Sequence, residues 1–184
     1  MPNVPTGHGE KAPDQVRWAQ QRHLARDTID PYRQQYLSFR LNDEWYGLNV
    51  HQLVEVLPLP KVTRVPRTPE YILGVINLRG EVLSIVDLKG VFGLPHGAST
   101  VAPTVVVVAY GELRTGLLVD SVGDLISLAP EDVTEGQVLM DTAQRAHLDG
   151  AARWGGIPVR IINLEALRSQ ILTPSHAQGG IGFP

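Results

Sequence analysis

The sequence contains no cysteine. That absence excludes disulfides, thiolate zinc sites, iron–sulfur clusters and thiol nucleophiles together, and it suits a reducing compartment. Charge is sparse as well: charged residues make up 19% of the chain, and 16 Lys and Arg against 19 Asp and Glu leave a formal charge of −3. A duplex-binding protein needs a basic footprint to displace counterions from phosphates, so no nucleic-acid partner is expected. The longest apolar run, Val105 to Tyr110, stops at Gly111, far short of the roughly 18 residues of a membrane span. The first fifteen residues lack the cationic and apolar regions of a secretory signal. A cytoplasmic protein with no direct membrane insertion is expected.

Signatures of catalysis are equally scarce. The six histidines, at 8, 23, 51, 96, 147 and 176, show no i, i+4 pair or close spacing, so no metal site is expected. No G-x-S-x-G elbow, P-loop or H-E-x-x-H motif is present, and Gly179-Gly180-Ile181-Gly182 lacks a strand before it and a helix after it. Asp43, Glu44, Glu112, Glu131 and Asp132 fall at turns, where a solvated acid is the default. The expectation is no enzyme, no catalytic residue and no cofactor. A small hydrolase or ligand-binding barrel is the weaker alternative.

What is present is 43% hydrophobic residues with 18 Gly and 14 Pro, the composition of a packed, turn-rich protein. Residues 1–34 read as a leader, partly disordered, in which Asp14 can cap a helix over 15–30 before Pro31 ends it. From Gln35 the hydrophobic period becomes two. Leu37, Phe39 and Leu41 alternate with polar residues, Asn42-Asp43-Glu44 turns the chain, and Tyr46, Leu48 and Val50 alternate back. Short strands follow at 54–57, 62–65, 74–78, 82–87, 104–110, 114–119, 125–128 and 159–163. No segment has helical periodicity suited to parallel crossovers, so the chain reads as all-β, in barrels or a sandwich. Asn163 caps one late helix over 164–172, with Leu164, Leu167 and Ile171 on one face and Pro174 beyond. The tail 173–184 reads as disordered.

The chain also matches itself. An offset of 69 sets Gly47 on Gly116, Leu48 on Leu117, Val50 on Val119, Glu55 on Asp124 and Val56 on Leu125. An offset of 76 then sets Gly74 on Gly150, Gly80 on Gly156, Ile85 on Ile161 and Asp87-Leu88 on Asn163-Leu164. Two copies of about 65 residues fit two small barrels better than one large one. Their approximate limits are 35–94 and 104–172, and strands can be exchanged between them. The copies differ at one hairpin, where Asn77-Leu78-Arg79-Gly80 faces Arg153-Trp154-Gly155-Gly156, so a cation stands where its counterpart is glycine. A surface rich in Val and Ile with isolated charges at turns suits a module that works by contact, an adaptor.

Tyr46-Gly47-Leu48-Asn49-Val50, Val54-Glu55-Val56, Val62-Thr63-Arg64-Val65-Pro66 and above all Gly74-Val75-Ile76-Asn77-Leu78-Arg79-Gly80 with Ile85-Val86-Asp87-Leu88 resemble the CheW family of chemotaxis coupling proteins, over about 35–172. The resemblance implies two SH3-like five-stranded β-barrels with a C-terminal helix. It also implies a noncatalytic scaffold, recruited to membrane-associated arrays, that joins the signalling tip of methyl-accepting chemoreceptors to the regulatory domain of the histidine kinase CheA. Carried over, the receptor-facing groove between the barrels is lined by Val50, Leu53, Glu55, Val56, Gly74 and Arg79, with Val105 and Leu125 from the second copy. The kinase-facing edge uses Val62, Thr63, Arg64 and Val65. Arg79 offers a planar fork to carboxylates, and Glu55 can orient it through a salt bridge. Ser84 stands where the family often has proline, and Asp149-Gly150-Ala151-Ala152 is a thin version of the family's second glycine segment. Adaptors of type IV pilus, gliding or other non-flagellar pathways share the resemblance, as does a scaffold that keeps one binding face.

Overall fold

A computed structural model of the protein describes residues 32–96, 102–134 and 142–172. The leader to residue 31, with the expected helix over 15–30, and the tail 173–184 lie outside the described residues. Ten strands run β1 (Gln34–Leu41), β2 (Glu44–Asn49), β3 (Leu53–Pro58), β4 (Ile72–Leu78), β5 (Glu81–Asp87), β6 (Thr104–Tyr110), β7 (Leu113–Val119), β8 (Ser121–Leu128), β9 (Leu148–Trp154) and β10 (Ile157–Ile162). Among the described residues, helix α1 (Leu88–Phe92) lies between β5 and β6, α2 (Thr142–Arg145) between β8 and β9, and α3 (Leu164–Leu172) follows β10. The strands form two five-stranded sheets, β8-β1-β2-β10-β9 and β3-β6-β7-β5-β4, the first and second barrels below.

The two orders are the same under the duplication, since β8 answers β3, β1 answers β6, β2 answers β7, β10 answers β5 and β9 answers β4. The contiguous halves 35–94 and 104–172 are therefore copies but not barrels. Each half lends its opening hairpin to the other half's last three strands. The joint is a parallel pairing, β2 on β10 and β7 on β5, that places Gly47 beside Ile161 and Gly116 beside Ile85. A Cβ on Gly47 would stand 3.0 Å from the Ile161 Cδ1, and one on Gly116 would stand 2.6 Å from the Ile85 Cδ1. The glycines that mark the repeat are thus the places where one copy's isoleucine lies on the other copy's backbone.

Period-two alternation sends each central strand into two cores. On β6, Val105 and Val107 enter the second barrel, with Ile76, Leu83 and Ile85. Val106 and Val108 face the other way, onto Leu37, Phe39, Leu48, Leu117 and Val119 between the barrels. The first barrel encloses Tyr36, Ile126, Leu128, Ala152, Val159 and Ile161. Sixteen buried side chains lie between the barrels against six and five inside them, so neither barrel holds a core large enough to stand alone.

Several elements differ from expectation. The segment 62–65 makes one bridge, Thr63 to Val75, rather than a strand, because Pro60 and Pro66 restrict the residues beside them and cannot donate to a ladder. Strand β9 leaves little trace in the sequence, since its Gly150-Ala151-Ala152 centre has little β-branched character. Helix α1 is too short to show a period, although Asp87 caps it by accepting from the Lys89 N–H at 3.0 Å and Gly93 closes it in the left-handed region. Asn163 caps α3 as expected, its Oδ1 accepting from the Ala166 N–H at 2.7 Å.

The Thr63 bridge has an equivalent, Thr134 to Ala151. Opposite each lies a glycine, Gly74 (φ 141°) and Gly150 (φ 158°), whose Cβ would fall 2.2 Å from the Thr63 carbonyl oxygen or 2.8 Å from that of Thr134. Gly74→Ala combines strained backbone with a clash against a carbonyl that cannot swing away, and is expected to cost about 3 kcal/mol in denaturant unfolding. Gly80→Ala, at φ 92° with open space around it, is expected to cost about 1 kcal/mol. Equal midpoints for the two variants would show that the Thr63 contact is loose.

Candidate functional site

Strands β4 and β5 are joined by a two-residue turn, Arg79-Gly80, closed by the Leu78–Glu81 pair. Such tight turns need positive φ at both central residues to match strand twist. Arg79 has φ 53° and Gly80 has φ 92°, and in the other copy Gly155 and Gly156 have φ 56° and 84°. Asn77 Oδ1 steadies the turn by accepting from the Gly80 N–H at 2.9 Å. An L-residue in the left-handed region costs roughly 1–2 kcal/mol. The fold needs no side chain at position 79.

The guanidinium donates to Glu55 Oε2 at 2.8 Å, with the Arg79 side chain 80% exposed and that of Glu55 22% exposed. A pair this open to water contributes about 0–1 kcal/mol. It fixes direction more than stability, holding the Arg79 fork over β3. On either side of Glu55 the strand turns Val54 and Val56 outward, each 42% exposed. Leu53 is half-buried against the core between the barrels, and Val50 is half-buried in a single 3-10 turn over Val50–Gln52. That turn carries the chain from the first barrel into the second, so Val50, Leu53, Glu55, Val56 and Arg79 gather around one junction. Sequence reasoning missed two exposed aliphatic neighbours, Val54 and Val82, the latter 70% exposed on β5 just past the Arg79 turn. Period-two alternation against the buried Leu83 was the signal that could have found Val82.

Two expected groove residues are corrected. Val105 is fully buried in the second barrel. It lies on β6 with a neighbour on each side, β3 and β7, and its face of that strand is the barrel interior rather than a surface groove. Gly74 is buried too, and what lies against it is the backbone of Thr63 with the Val62 side chain. It belongs to the support of the other expected face. Leu125 is 58% exposed on β8 in the first barrel, at the position that answers Val56.

On the second face, Thr63 and Val75 exchange two backbone hydrogen bonds of 2.8 Å, pinning the segment 62–65 to β4. Val62 is half-buried against the core of the second barrel, whereas Thr63, Arg64 and Val65 are exposed, Val65 by 39%. Lys61 and Arg67 are exposed on either side, so this edge presents one aliphatic contact within a basic stretch.

The ionisable groups with displaced pKa values lie elsewhere. Burial raises the phenols of Tyr36, Tyr46 and Tyr71, with the Glu44 carboxylate adding to the rise at Tyr46, and burial lowers His147. Among the described residues, no three or more His, Cys, Asp or Glu side chains stand together as a metal site, and no helix is long and apolar enough to cross a membrane.

The model of the CheW-like domain family matches residues 35–171. The chain is 32% identical over 149 residues to chemotaxis protein CheW of Klebsiella aerogenes, covering 79% of this chain and 86% of that one. It is 29% identical over 131 residues to chemotaxis protein CheW of Rhizobium meliloti, covering 71% and 84%. The crystal structure of the scaffolding protein TtCheW from Thermoanaerobacter tengcongensis superposes with a TM-score of 0.64 at 30% identity, over 71% of this chain and 88% of that one.

The unequal burial of Val62 and Val65 generates a test. Val62→Asp places a carboxylate against the second barrel's core and is expected to lower stability by about 1–3 kcal/mol. Val65→Asp is expected to stay within about 0.5 kcal/mol of the wild type, as other surface changes do. Thermal unfolding of the two variants checks this, and a large loss from Val65→Asp would mean that its side chain is part of the core.

Proposed function

The chain belongs to the family of CheW-like proteins, and from that membership we propose that it is a noncatalytic scaffold coupling methyl-accepting chemoreceptors to the histidine kinase CheA. The receptor tip docks where the chain crosses between barrels, on Val50, Leu53, Val54 and Val56. Aliphatic burial supplies the affinity there, and Arg79, aimed by Glu55, selects a carboxylate or the carbonyl end of a helix. The regulatory domain of CheA docks on Arg64 and Val65 at the edge held by Thr63, with Val62 beneath. The two faces stand at different places on the second barrel, so one scaffold can hold both partners.

The observation that carries this reading is Arg79 itself. It occupies a left-handed turn position where the duplicate has Gly155, and its ion pair is too exposed to repay the strain. A residue the fold would replace by glycine is retained for what it contacts.

Co-sedimentation with receptor signalling tips, with and without CheA, tests the scaffold, and a ternary complex is expected. Arg79→Gly is expected to change stability by less than about 1 kcal/mol, because relief of strain offsets the lost ion pair and the added freedom of the unfolded chain. It is also expected to weaken receptor binding by about 1–3 kcal/mol while leaving CheA binding intact. Receptor tips bound as tightly by the variant as by the wild type would remove Arg79 from the site.

A further inference from the structure

Among the described residues, three that are not glycine have positive φ: Asn42 at 55°, Arg67 at 63° and Arg79 at 53°. Asparagine is several-fold enriched in the left-handed region because its short amide bonds the local backbone, whereas arginine has no such compensation. Arg67 is the second residue of a turn, Pro66-Arg67, that follows directly on Val65. Proline in the first central place and positive φ in the second is the pattern of a type II turn, whose second place ordinarily goes to glycine or asparagine. The turn is closed without the Arg67 side chain, by the Thr68 hydroxyl donating to the Val65 carbonyl at 3.0 Å.

The cation placed there joins two others. Lys61, Arg64 and Arg67 are all exposed and stand three residues apart, with Glu70 the one carboxylate between positions 61 and 70. Three residues of extended chain span at most about 11 Å. That is close to the Debye length of about 8 Å at physiological ionic strength, so one partner surface feels the whole row. Among the described residues Lys61, Arg64 and Arg67 enter no ion pair, whereas Arg33, Arg40, Arg79, Lys89, Arg114 and Arg160 each hold a carboxylate. A chain whose formal charge is −3 thus keeps a row of unpaired cations on one short edge. The row is also fixed in place, stiffened by Pro60, Pro66 and Pro69 and tied to β4 by the Thr63–Val75 bridge. Charges held ready in this way lose little freedom on docking.

We infer that Arg67 is an electrostatic anchor of the kinase-facing edge, and that the surface it meets is acidic, a carboxylate of the CheA regulatory domain beside the apolar contact at Val65. The assignment rests on the reading that CheA docks at 62–65. The strained turn is retained because it carries the guanidinium two residues past Val65, to a rim where a charge steers encounter without losing its water. A rim charge acts mainly on the association rate and its salt dependence, and a buried aliphatic contact mainly on dissociation. Lys61 and Arg64 add to the same field. Arg67 is distinguished from them because its place costs backbone strain and theirs does not.

Association and dissociation rates of the full chain with the regulatory domain of CheA, measured at about 50 mM and about 500 mM salt, test the anchor. Arg67→Gly suits the turn, and its relief of strain offsets the freer unfolded chain. It is expected to lower the association rate roughly three- to tenfold at the lower salt and to leave it nearly unchanged at the higher. Arg67→Lys, which keeps the charge, should retain most of the wild-type rate, and receptor tips should bind all three chains equally. Arg67→Asn gives the same readout if glycine loosens the turn. Equal association rates for the wild type and the uncharged variants at low salt, or an equal loss in Arg67→Lys, would overturn the inference. Val65→Ser, which removes the apolar contact and no charge, separates the anchor from the docking edge. Faster dissociation in Val65→Ser with no effect of Arg67→Gly keeps the edge and removes Arg67, whereas no effect of either variant removes the edge as well. Self-association of the wild-type chain in sedimentation, lost in Arg67→Gly, would put a second copy of the chain on this row and would also overturn the inference.

Discussion

Everything in this protein depends on the pairing of each half's opening hairpin with the other half's closing strands. The contact is parallel and close, with Ile161 over Gly47 and Ile85 over Gly116. Because the exchange is mutual, neither half contains a complete sheet. Because the exchanged hairpins also line the space between the barrels, with Phe39, Tyr46 and Leu48 from one and Val106, Val108 and Leu117 from the other, the barrels share their largest core. A surface contact on either barrel is therefore made to one compact unit with a shared core.

With the barrels held by that shared core, the connections are free for other work. The chain crosses between barrels twice, at Val50–Gln52 and at Asp120. The second crossing is pinned: Asp120 receives Lys89 Nζ at 2.7 Å and the Asn42 N–H at 2.7 Å, and its own N–H donates to the Arg40 carbonyl at 3.1 Å. The first crossing carries exposed aliphatics and leads directly to Glu55. The duplication supplied two equivalent junctions, and the sequence has since made one a structural knot and left the other an apolar surface. Arg79 belongs to the same divergence, since the turn it occupies works with Gly155 in the other copy.

Much of this was legible without coordinates, and what escaped did so for physical reasons. The repeat and the Asn163 cap are local or register-preserving features and show as spacing, whereas the Glu55–Arg79 pair, 24 residues apart, is implied only by the family resemblance. Which strands are exchanged does not show, because a strand has the same alternation whichever partner completes its ladder. The burial of Val105 escaped because its run, Val105 to Val108, is apolar on both faces, and periodicity then cannot say which face meets solvent. Gly74 carried a family motif into the wrong role. A glycine in a motif marks a close approach, but only the structure shows that what approaches is the Thr63 carbonyl rather than a partner. Val82 is readable from its alternation with the buried Leu83.

The two barrels are tied by unequal means, and the inequality decides where such a scaffold can yield. The core between them is apolar and closely packed, and its free energy changes little between pH 5 and 8. The Lys89–Asp120 pair is nearly as buried, at 10% and 18% side-chain exposure, and breaking it would strand a charge at a cost of several kcal/mol. The bond from the Tyr71 hydroxyl to the Gln170 carbonyl, at 3.3 Å, is a single hydrogen bond worth about 1 kcal/mol. A perturbation too weak to part the core or the ion pair can still part this bond. Of these ties the weakest is at the end of α3, where Ile171 is only partly buried and Leu172 is exposed, and it stands apart from the faces built on Glu55, Arg79 and Val65.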